Sequence, residues 1–212
     1  MTVAVNKKGL LLGDIDRAKW HPLSGFDKEF QEILKDFDLF PSTDYEQLKE
    51  ENLRKYALCI SFIDQWTPLT TAQTAGLLAF VVHGGGLLIV HNGIAIQARP
   101  ELAQLAGGRF IGHPEQKVLT YQPTATDHVI VSGIQSFSLE EEPYQFVMDN
   151  LAETTVLLEY ESAGVVWPAG WVRTYGLGKV VYLSPGHNLE TLRDPMYRKL
   201  IQRSGSWLTG LL

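Results

Sequence analysis

The stretch HGGGLLIVHNG at residues 83–93 decides how this sequence folds. Three glycines precede four aliphatic residues, and His91 follows them at once. Glycine readily adopts the left-handed conformation that ends helices, so the pattern predicts a helix end, a buried strand and a polar turn. Ligands of parallel α/β sheets bind beyond the carboxyl ends of the strands. His91 is therefore the first candidate for a functional residue.

The first half of the chain alternates buried strands with helices. Apolar runs predict strands at residues 7–14, 38–42, 56–62 and 87–90. Apolar spacing predicts one helix capped by Ser24 and another that begins near Thr67 or Thr70. This alternation predicts a mainly parallel sheet with helices on both faces, and Asp14, the 63–67 loop and His91 at its carboxyl edge.

The second half is richer in strands. Alternating patterns predict strands at residues 117–123 and 153–160, a hairpin at 164–187 and a closing helix from residue 194. The chain contains no internal repeat, linker or low-complexity tract. We therefore predict a single α/β domain over residues 1–212, a three-layer sandwich with a strand-rich C-terminal half.

Composition narrows the classes of function. Of the 212 residues, 45% are hydrophobic and 20% are charged, and the net charge is -6. An acidic chain does not favour nucleic-acid binding, and no stretch approaches the ~20 apolar residues that span a membrane. The N-terminal MTVAVNKKGLLLGDID lacks the pattern of a signal peptide, and Cys59 is the only cysteine. These features predict a cytoplasmic protein that binds neither nucleic acid nor membrane.

Three histidines share one sequence context. His91, His113 and His187 each follow or interrupt a glycine-rich strand exit, where backbone can approach a ligand closely. Each alone is explained by a structural role, but together with a carboxylate they predict one shared pocket. The remaining histidines have simpler explanations: His83 ends a helix, His128 stabilises a turn, and His21 lies in an exposed loop.

Two other features have a plain and a functional interpretation. The acidic run at residues 140–142 is either a solvated turn or, pinned by its apolar flanks, a source of site carboxylates. Trp167 and Trp171 either pack in the core or form an aromatic platform for a sugar ring.

The ordered motifs of the chain resemble those of the trehalose-utilization (ThuA-like) family from about Tyr56 to Trp207. The series is LTTAQTAGLLAFVVHGGGLLIVHNG, LAGGRFIGHP, the segment from DHVIVSGI to LEEEPY, and the segment from WPAGW to SPGH. The resemblance implies a flavodoxin-like fold similar to that of class I glutamine amidotransferases. The family pattern falls on these residues: Gly84, Gly85, Gly86, His91, Gly107, Gly108, Phe110, His113, Pro114, Glu141, Glu142, Tyr144, Trp171, Gly176, Gly178, Val180, Gly186 and His187.

The chain departs from the family pattern at three places. Glu141 replaces a frequent aspartate, and Val129 replaces the proline of a His-Pro-Ile element. The family also often carries a histidine soon after the first strand, where this chain has Gly-Asp-Ile-Asp at residues 13–16. If that histidine belongs to the family's site, an incomplete or altered site is expected.

Cysteine-dependent glutamine hydrolysis does not fit the sequence. Amidotransferases need a cysteine at the sharp turn after a central strand, activated by a histidine. That turn carries His91 and Asn92 here, and Cys59 lies within the third predicted strand. A serine elbow of the form Gly-x-Ser-x-Gly is also missing from this turn.

Three hypotheses for function remain. The first is an enzyme that acts on trehalose or a keto-sugar with a catalytic group of His91, His113, Glu142 and His187, through acid–base chemistry or with a divalent metal. Substrate-binding residues would be Asp14, Asn92, Tyr144 and Trp171. The second is a carbohydrate-binding or regulatory module without catalysis. The third is a homo-oligomer assembled through Trp20, Trp66 and the C-terminal WLTGLL.

Overall fold

The computed structural model describes residues 6–212, so the first five residues of the N-terminal stretch discussed above lie outside it. The strands are β1 (Lys7–Gly13), β2 (Phe37–Ser42), β3 (Leu58–Phe62), β4 (Gly86–Val90), β5 (Gly108–Gly112), β6 (Lys117–Pro123), β7 (Phe137–Glu141), β8 (Gln145–Met148), β9 (Thr155–Ser162), β10 (Val165–Tyr175) and β11 (Gly178–Leu183). The α-helices are α1 (Phe26–Ile33), α2 (Glu50–Leu53), α3 (Thr71–Val82), α4 (Pro100–Ala106), α5 (Leu189–Arg193) and α6 (Pro195–Leu208). Short 3-10 helices occupy Tyr45–Leu48, His91–Ala98 and Val129–Val131.

A nine-stranded mixed sheet forms the centre of this α/β fold, in the order β2-β1-β3-β4-β11-β10-β9-β6-β7. The first five strands in this order are parallel, and the remaining four continue it antiparallel. Strands β5 and β8 pair separately. The prediction of a mainly parallel sheet is therefore correct for one half only. The β10–β11 hairpin joins the halves, because β11 lies parallel to β4 and antiparallel to β10.

Strand alternation builds a core on each face of the parallel half. Leu11, Ile60 and Leu88 point to the face covered by α1, α5 and α6. Their chain neighbours Leu10, Cys59 and Leu87 point to the opposite face, against α2, α3 and α4. A strand buried on both faces needs a continuous apolar run, which is the pattern of these segments. Each leucine fully buried here contributes about 1.5–3 kcal/mol.

Helix α3 confirms the prediction made from residues 83–93. Thr70 caps its N-terminus and forms a reciprocal capping box with Gln73. His83 is its C-terminal cap, and Gly84 follows with a φ of 106°, a value that favours glycine. The cap predicted for α1 is wrong: Gly25 occupies that position, because the chain enters the helix with a φ of 87°. Within the described residues, no helix is both long and apolar enough to cross a membrane.

Candidate functional site

A cavity of about 310 Å³ opens where polar loops leave the strands of the parallel half. Its lining combines aromatic rings with ionisable side chains: Trp20, His21, Asp64, Trp66, Asn92, Phe110, His113, Glu142 and Tyr144. A second cavity, of about 350 Å³, lies at the opposite edge around His83. In the described part of the chain, histidines and a carboxylate converge only at the first. We therefore take the first cavity as the candidate site.

His91 occupies the turn directly after β4. It is fully buried and has a φ of 47°, which is unusual for a residue other than glycine. Its Nδ1 lies 2.7 Å from the carbonyl oxygen of Ser184. Because a carbonyl only accepts, Nδ1 carries the hydrogen, and the lone pair of Nε2 faces His21 and Glu142. Burial lowers the pKa of His91 to about 4, against the opposing contact with Glu142, so the ring is neutral.

His21 is the functional residue that sequence reasoning missed. It was predicted to lie in an exposed loop, but only 5% of its surface is exposed. Asp64 holds it in place: Oδ1 accepts from Nδ1 at 2.7 Å, and the carboxylate also accepts the backbone N–H groups of residues 19–21. Burial would raise the pKa of Asp64, but these hydrogen bonds lower it to about 2. The sequence around His21 is polar and has no apolar periodicity. Only the contact with Asp64 in the folded structure identifies His21 as a residue of the site.

His21 also changes the expectation of an incomplete site. No histidine follows β1 directly, but His21, eight residues beyond the end of β1, places its ring in the same cavity as His91. The site therefore contains a histidine from the segment after the first strand. The departure at residues 13–16 does not remove it.

The acidic run positions His187 and supplies the site carboxylate. Strand alternation buries Glu141, whose side chain accepts the N–H groups of Gly186 and His187. Burial raises the pKa of Glu141 to about 7, although these hydrogen bonds and one from the Thr191 hydroxyl act to lower it. Glu142 instead points into the cavity. The run is therefore pinned to the body of the protein and is not a solvated turn.

The four groups converge on one point. Nε2 of His21 lies 3.2 Å from Nε2 of His91 and 3.0 Å from Nδ1 of His187. Oε2 of Glu142 lies 3.4 Å from Nε2 of His91 and 3.4 Å from Nδ1 of His187. The same oxygen is 3.8 Å from Nε2 of His21. These four ligand atoms all lie within 4.8 Å of one another, the geometry of a metal or catalytic centre.

Charge within this group is divided between ionised and neutral partners. Burial would raise the pKa of Glu142, but contacts with His187 and His91 hold it well below its usual value. The close contact with the Glu142 carboxylate raises the pKa of His187, although burial opposes the shift. Glu142 is therefore an anion that faces two imidazoles.

His113 and Tyr144 complete one wall of the cavity. Nε2 of His113 lies 3.8 Å from Oε1 of Glu142, on the side away from the other histidines, and its side chain is one-third exposed. The Tyr144 ring stacks on His91 at 4.3 Å and on His113 at 5.2 Å. The structure thus brings all four predicted catalytic residues together, with His113 at the outer side.

The predicted substrate-binding residues divide into two groups. Asn92 and Tyr144 line the cavity, and Asn92 is tied to β3 through the carbonyl of Phe62. Asp14 does not line it: the buried carboxylate accepts the Tyr45 hydroxyl and the N–H of Asp64, and so supports the 63–67 loop. Asp14 is at the predicted edge, but it points into the protein.

The prediction that Trp171 binds substrate is wrong. Its side chain is fully buried in the core, and Nε1 donates to the carbonyl of Ala106 at 2.7 Å. The register of β10 between β9 and β11 turns the ring inward against Phe146 and Tyr182. The core-packing interpretation is the correct one.

Two tryptophans considered for assembly stand at the mouth of the cavity instead. Trp20 and Trp66 are 67% and 51% exposed, and both line the cavity. Trp66 packs against Phe110 with ring centroids 5.7 Å apart. Trp207 is partly buried against the core, whereas Leu211 and Leu212 are exposed. Exposed aromatic surface beside a polar cavity is typical of carbohydrate binding.

Cys59 is expected to resist alkylation in the native protein. It is buried within β3, and desolvation raises the pKa of its thiol to about 12. Iodoacetamide at pH 8 should label less than roughly 10% of native chains but all chains in denaturant, as measured by intact mass. Rapid labelling of the native protein would show that the thiol is an accessible nucleophile.

The fold and this cavity define an α/β protein with a histidine–glutamate site among the loops that follow its strands. The sequence profile of ThuA, described as trehalose utilisation, matches residues 24–208. The chain therefore belongs to the ThuA family. No curated protein sequence matches the chain.

Solved structures with the same fold include two ThuA-like proteins. One, from Bacteroides uniformis ATCC 8492, is 19% identical with a TM-score of 0.78, covering 96% of this chain and 91% of that one. The other, from Parabacteroides merdae ATCC 43184, is 17% identical with a TM-score of 0.79, covering 97% and 90%. A protein described as cytoplasmic, from Salmonella typhimurium LT2, is 16% identical with a TM-score of 0.67, covering 95% and 99%. At these identities, the likeness concerns the fold.

Proposed function

We propose that this protein is an enzyme of carbohydrate metabolism that acts on trehalose or a keto-sugar at the histidine–glutamate cavity. The observation that carries the proposal is the convergence of His21, His91, His187 and Glu142 on one point in a cavity with an aromatic mouth. Membership of a family described as trehalose utilisation supports a sugar as substrate.

The mouth of the cavity suits a sugar ring. Trp20, Trp66 and Phe110 present aromatic surface on which the CH face of a pyranose can stack. Asn92 supplies a polar group to the same lining, and its Oδ1 accepts no hydrogen bond from the described residues. The combination of stacking surface and a few directed polar groups is typical of small-molecule sites.

The side chains suit proton transfer. His91 is neutral and offers the Nε2 lone pair as a base, while the ionised Glu142 stabilises positive charge on a neighbouring imidazole. His113 lies at the exposed side of the cavity, with one-third of its side chain open to solvent. Three imidazoles and a carboxylate also suit a divalent metal, so metal-assisted catalysis is the second form of this proposal. Cysteine-dependent glutaminase chemistry is not proposed, because His91 and Asn92 occupy the turn that would carry the nucleophile.

Turnover of a sugar panel tests the proposal. The wild-type chain would be incubated with trehalose, glucose and their keto derivatives, with products followed by NMR and mass spectrometry. We expect conversion of at least one sugar, and a loss of at least ~100-fold in Glu142→Gln, which keeps the shape of the side chain but removes its charge. The control is Glu140→Gln, an exposed neighbour. Binding without conversion by the wild type would favour the non-catalytic module.

The proposal extends to the fold, the location and the partners of this protein. We further propose that the five parallel strands form a flavodoxin-like core; their order, which begins 2-1-3-4 and closes with one further strand, supports this. We place the single-domain protein in the cytoplasm, with a small carbohydrate as its partner and neither nucleic acid nor membrane. A homo-oligomer remains a proposal that ultracentrifugation tests. A missing histidine after β1 and an acidic run at residues 140–142 would favour a purely binding module, but His21 supplies a histidine and Glu142 of that run belongs to the cluster.

A further inference from the structure

The hydrogen bonds around the cluster leave lone pairs directed at one another. Nδ1 of His21 carries its hydrogen because it faces the Asp64 carboxylate, and Nδ1 of His91 carries one because it faces a carbonyl. In the neutral rings, both Nε2 atoms are therefore acceptors, yet they lie only 3.2 Å apart. Two acceptors at this distance need a positive group between or beside them.

One proton cannot satisfy the whole cluster. A proton on Nδ1 of His187 can point to His21 at 3.0 Å or to Glu142 at 3.4 Å. It leaves Nε2 of the buried His91 facing another lone pair and a carboxylate. Among the described side chains, Oε2 of Glu142 is buried and accepts no aligned hydrogen bond. A single cation at the centre would satisfy all four atoms together.

We propose that His21, His91, His187 and Glu142 bind one divalent transition-metal ion of the zinc class. Bonds of about 2.0–2.1 Å to a common ion place neighbouring ligand atoms roughly 2.8–3.0 Å apart in an octahedral site and roughly 3.3–3.4 Å apart in a tetrahedral one. Five of the separations are 3.0, 3.2, 3.4, 3.4 and 3.8 Å, so they match this range within a few tenths of an ångström. Three imidazole nitrogens favour such an ion over Mg²⁺ or Ca²⁺, which prefer oxygen.

Groups outside the cluster already orient the ligands as a metal site requires. Metal-binding imidazoles usually donate their second N–H to a carboxylate or a backbone carbonyl. Asp64 accepts from His21, and the carbonyl of Ser184 accepts from His91. Glu141 fixes the backbone of His187. Three of the four proposed ligand residues are therefore held in place by groups outside the cluster.

The ion would stand at the floor of the cavity that is proposed above to bind a sugar. This inference deepens that function: an ion held here would polarise a sugar carbonyl or hydroxyl oxygen. Of the four proposed ligand residues, His113 approaches Glu142 alone, at 3.8 Å from its other oxygen, so it lies beside the ligands without being one of them. It serves as a matched control, because it is a histidine of the same cavity.

Metal titration tests the site without any sugar. The full chain would be stripped with a chelator and titrated with Zn²⁺ by calorimetry and with Co²⁺ by visible absorption. We expect one ion per chain in the wild type and in His113→Ala. In His21→Ala and Glu142→Gln we expect affinity at least ~100-fold weaker. Far-UV circular dichroism and thermal melting establish that each variant is folded, and His21→Gln replaces His21→Ala if that variant unfolds.

Each outcome decides between the two proposals. No stoichiometric Zn²⁺ or Co²⁺ binding by the wild type, or equal loss in His113→Ala and His21→Ala, overturns the metal site. One bound ion without turnover of any sugar keeps the metal site and removes the proposed function. Sugar turnover that is unchanged after complete removal of metal keeps the function and overturns the role of the ion in it.

Discussion

Gly93→Ala is expected to destabilise the protein by at least about 3 kcal/mol. Gly93 lies two residues after His91, where the chain passes β3 at close range. A Cβ at this position would stand 1.9 Å from the carbonyl oxygen of Ser61 and 2.5 Å from its carbon. Both are backbone atoms of a central strand, so neither can move without disturbing the sheet. Only glycine therefore fits at position 93, and its close approach to β3 holds the turn that contains His91.

Thermal and urea denaturation measure this effect. For a chain of this size, the expected loss corresponds to a fall in melting temperature of roughly 10 °C. Gly210→Ala is the control: it has a φ of 70° but no neighbour within 4 Å, and should cost about 1 kcal/mol. A Gly93→Ala protein that melts within roughly 2 °C of wild type would contradict the close packing described here.

Asp64→Asn is expected to loosen the segment that carries His21 and to cost about 3 kcal/mol. The carboxylate accepts four hydrogen bonds, from the backbone of residues 19–21 and from Nδ1 of His21. An amide has one oxygen to accept with, and its NH₂ group would face donors. A hydrogen bond to a charged group contributes about 1.5–3 kcal/mol to the free energy of unfolding. Because Asp64→Asn removes more than one of them, it should destabilise the protein more than most single substitutions do.

Hydrogen exchange and urea unfolding measure the two consequences. Protection of the amides of residues 19–21 should fall in Asp64→Asn, while that of β3 is retained. Because the folded pKa of Asp64 is lower than its usual 3.8, its carboxylate stabilises the fold above that pH and this contribution is lost as pH falls towards 2. The stability difference should therefore shrink below pH 4. Asp149→Asn, on an exposed loop, is the control; unchanged protection at residues 19–21 would contradict this role of Asp64.

The sequence predicted the parallel half of the fold well because its signal is local. Buried strands on both faces need apolar runs, and glycine and threonine at the ends of α3 mark its limits. Pairing of β11 beside β4 could not be predicted in the same way. It depends on contacts between residues about ninety positions apart, and the hairpin pattern does not specify which neighbour the second arm will choose.

Prediction of the site succeeded where a residue follows a strand directly and failed where a side chain's direction mattered. His91 and Glu142 follow β4 and β7 at once, and their side chains meet: Glu142 lines the cavity, and His91 is buried directly behind it. Asp14 follows β1 just as closely but points inward to Tyr45. Trp171 lies within β10, where burial from both sides turns its ring into the core. His21 was missed because its partner, Asp64, is distant in the sequence.

These outcomes share a physical cause. Strand periodicity reports which residues alternate, whereas the direction of a loop side chain depends on the donors and acceptors it meets after folding. The cluster is assembled from four separate loops, and hydrogen bonds accepted by Asp64, the carbonyl of Ser184 and Glu141 fix its geometry. The identities of these residues can be read from one sequence, but the distances between them cannot.

The central claim is that His21, unexpected from the sequence, belongs to the catalytic cluster. The most direct test compares sugar turnover by His21→Ala with that by His83→Ala, an exposed histidine at the opposite edge of the sheet. Using the sugar that the wild type converts, we predict that His21→Ala loses at least ~100-fold of the activity and that His83→Ala retains it. Wild-type turnover by a folded His21→Ala protein would contradict the account.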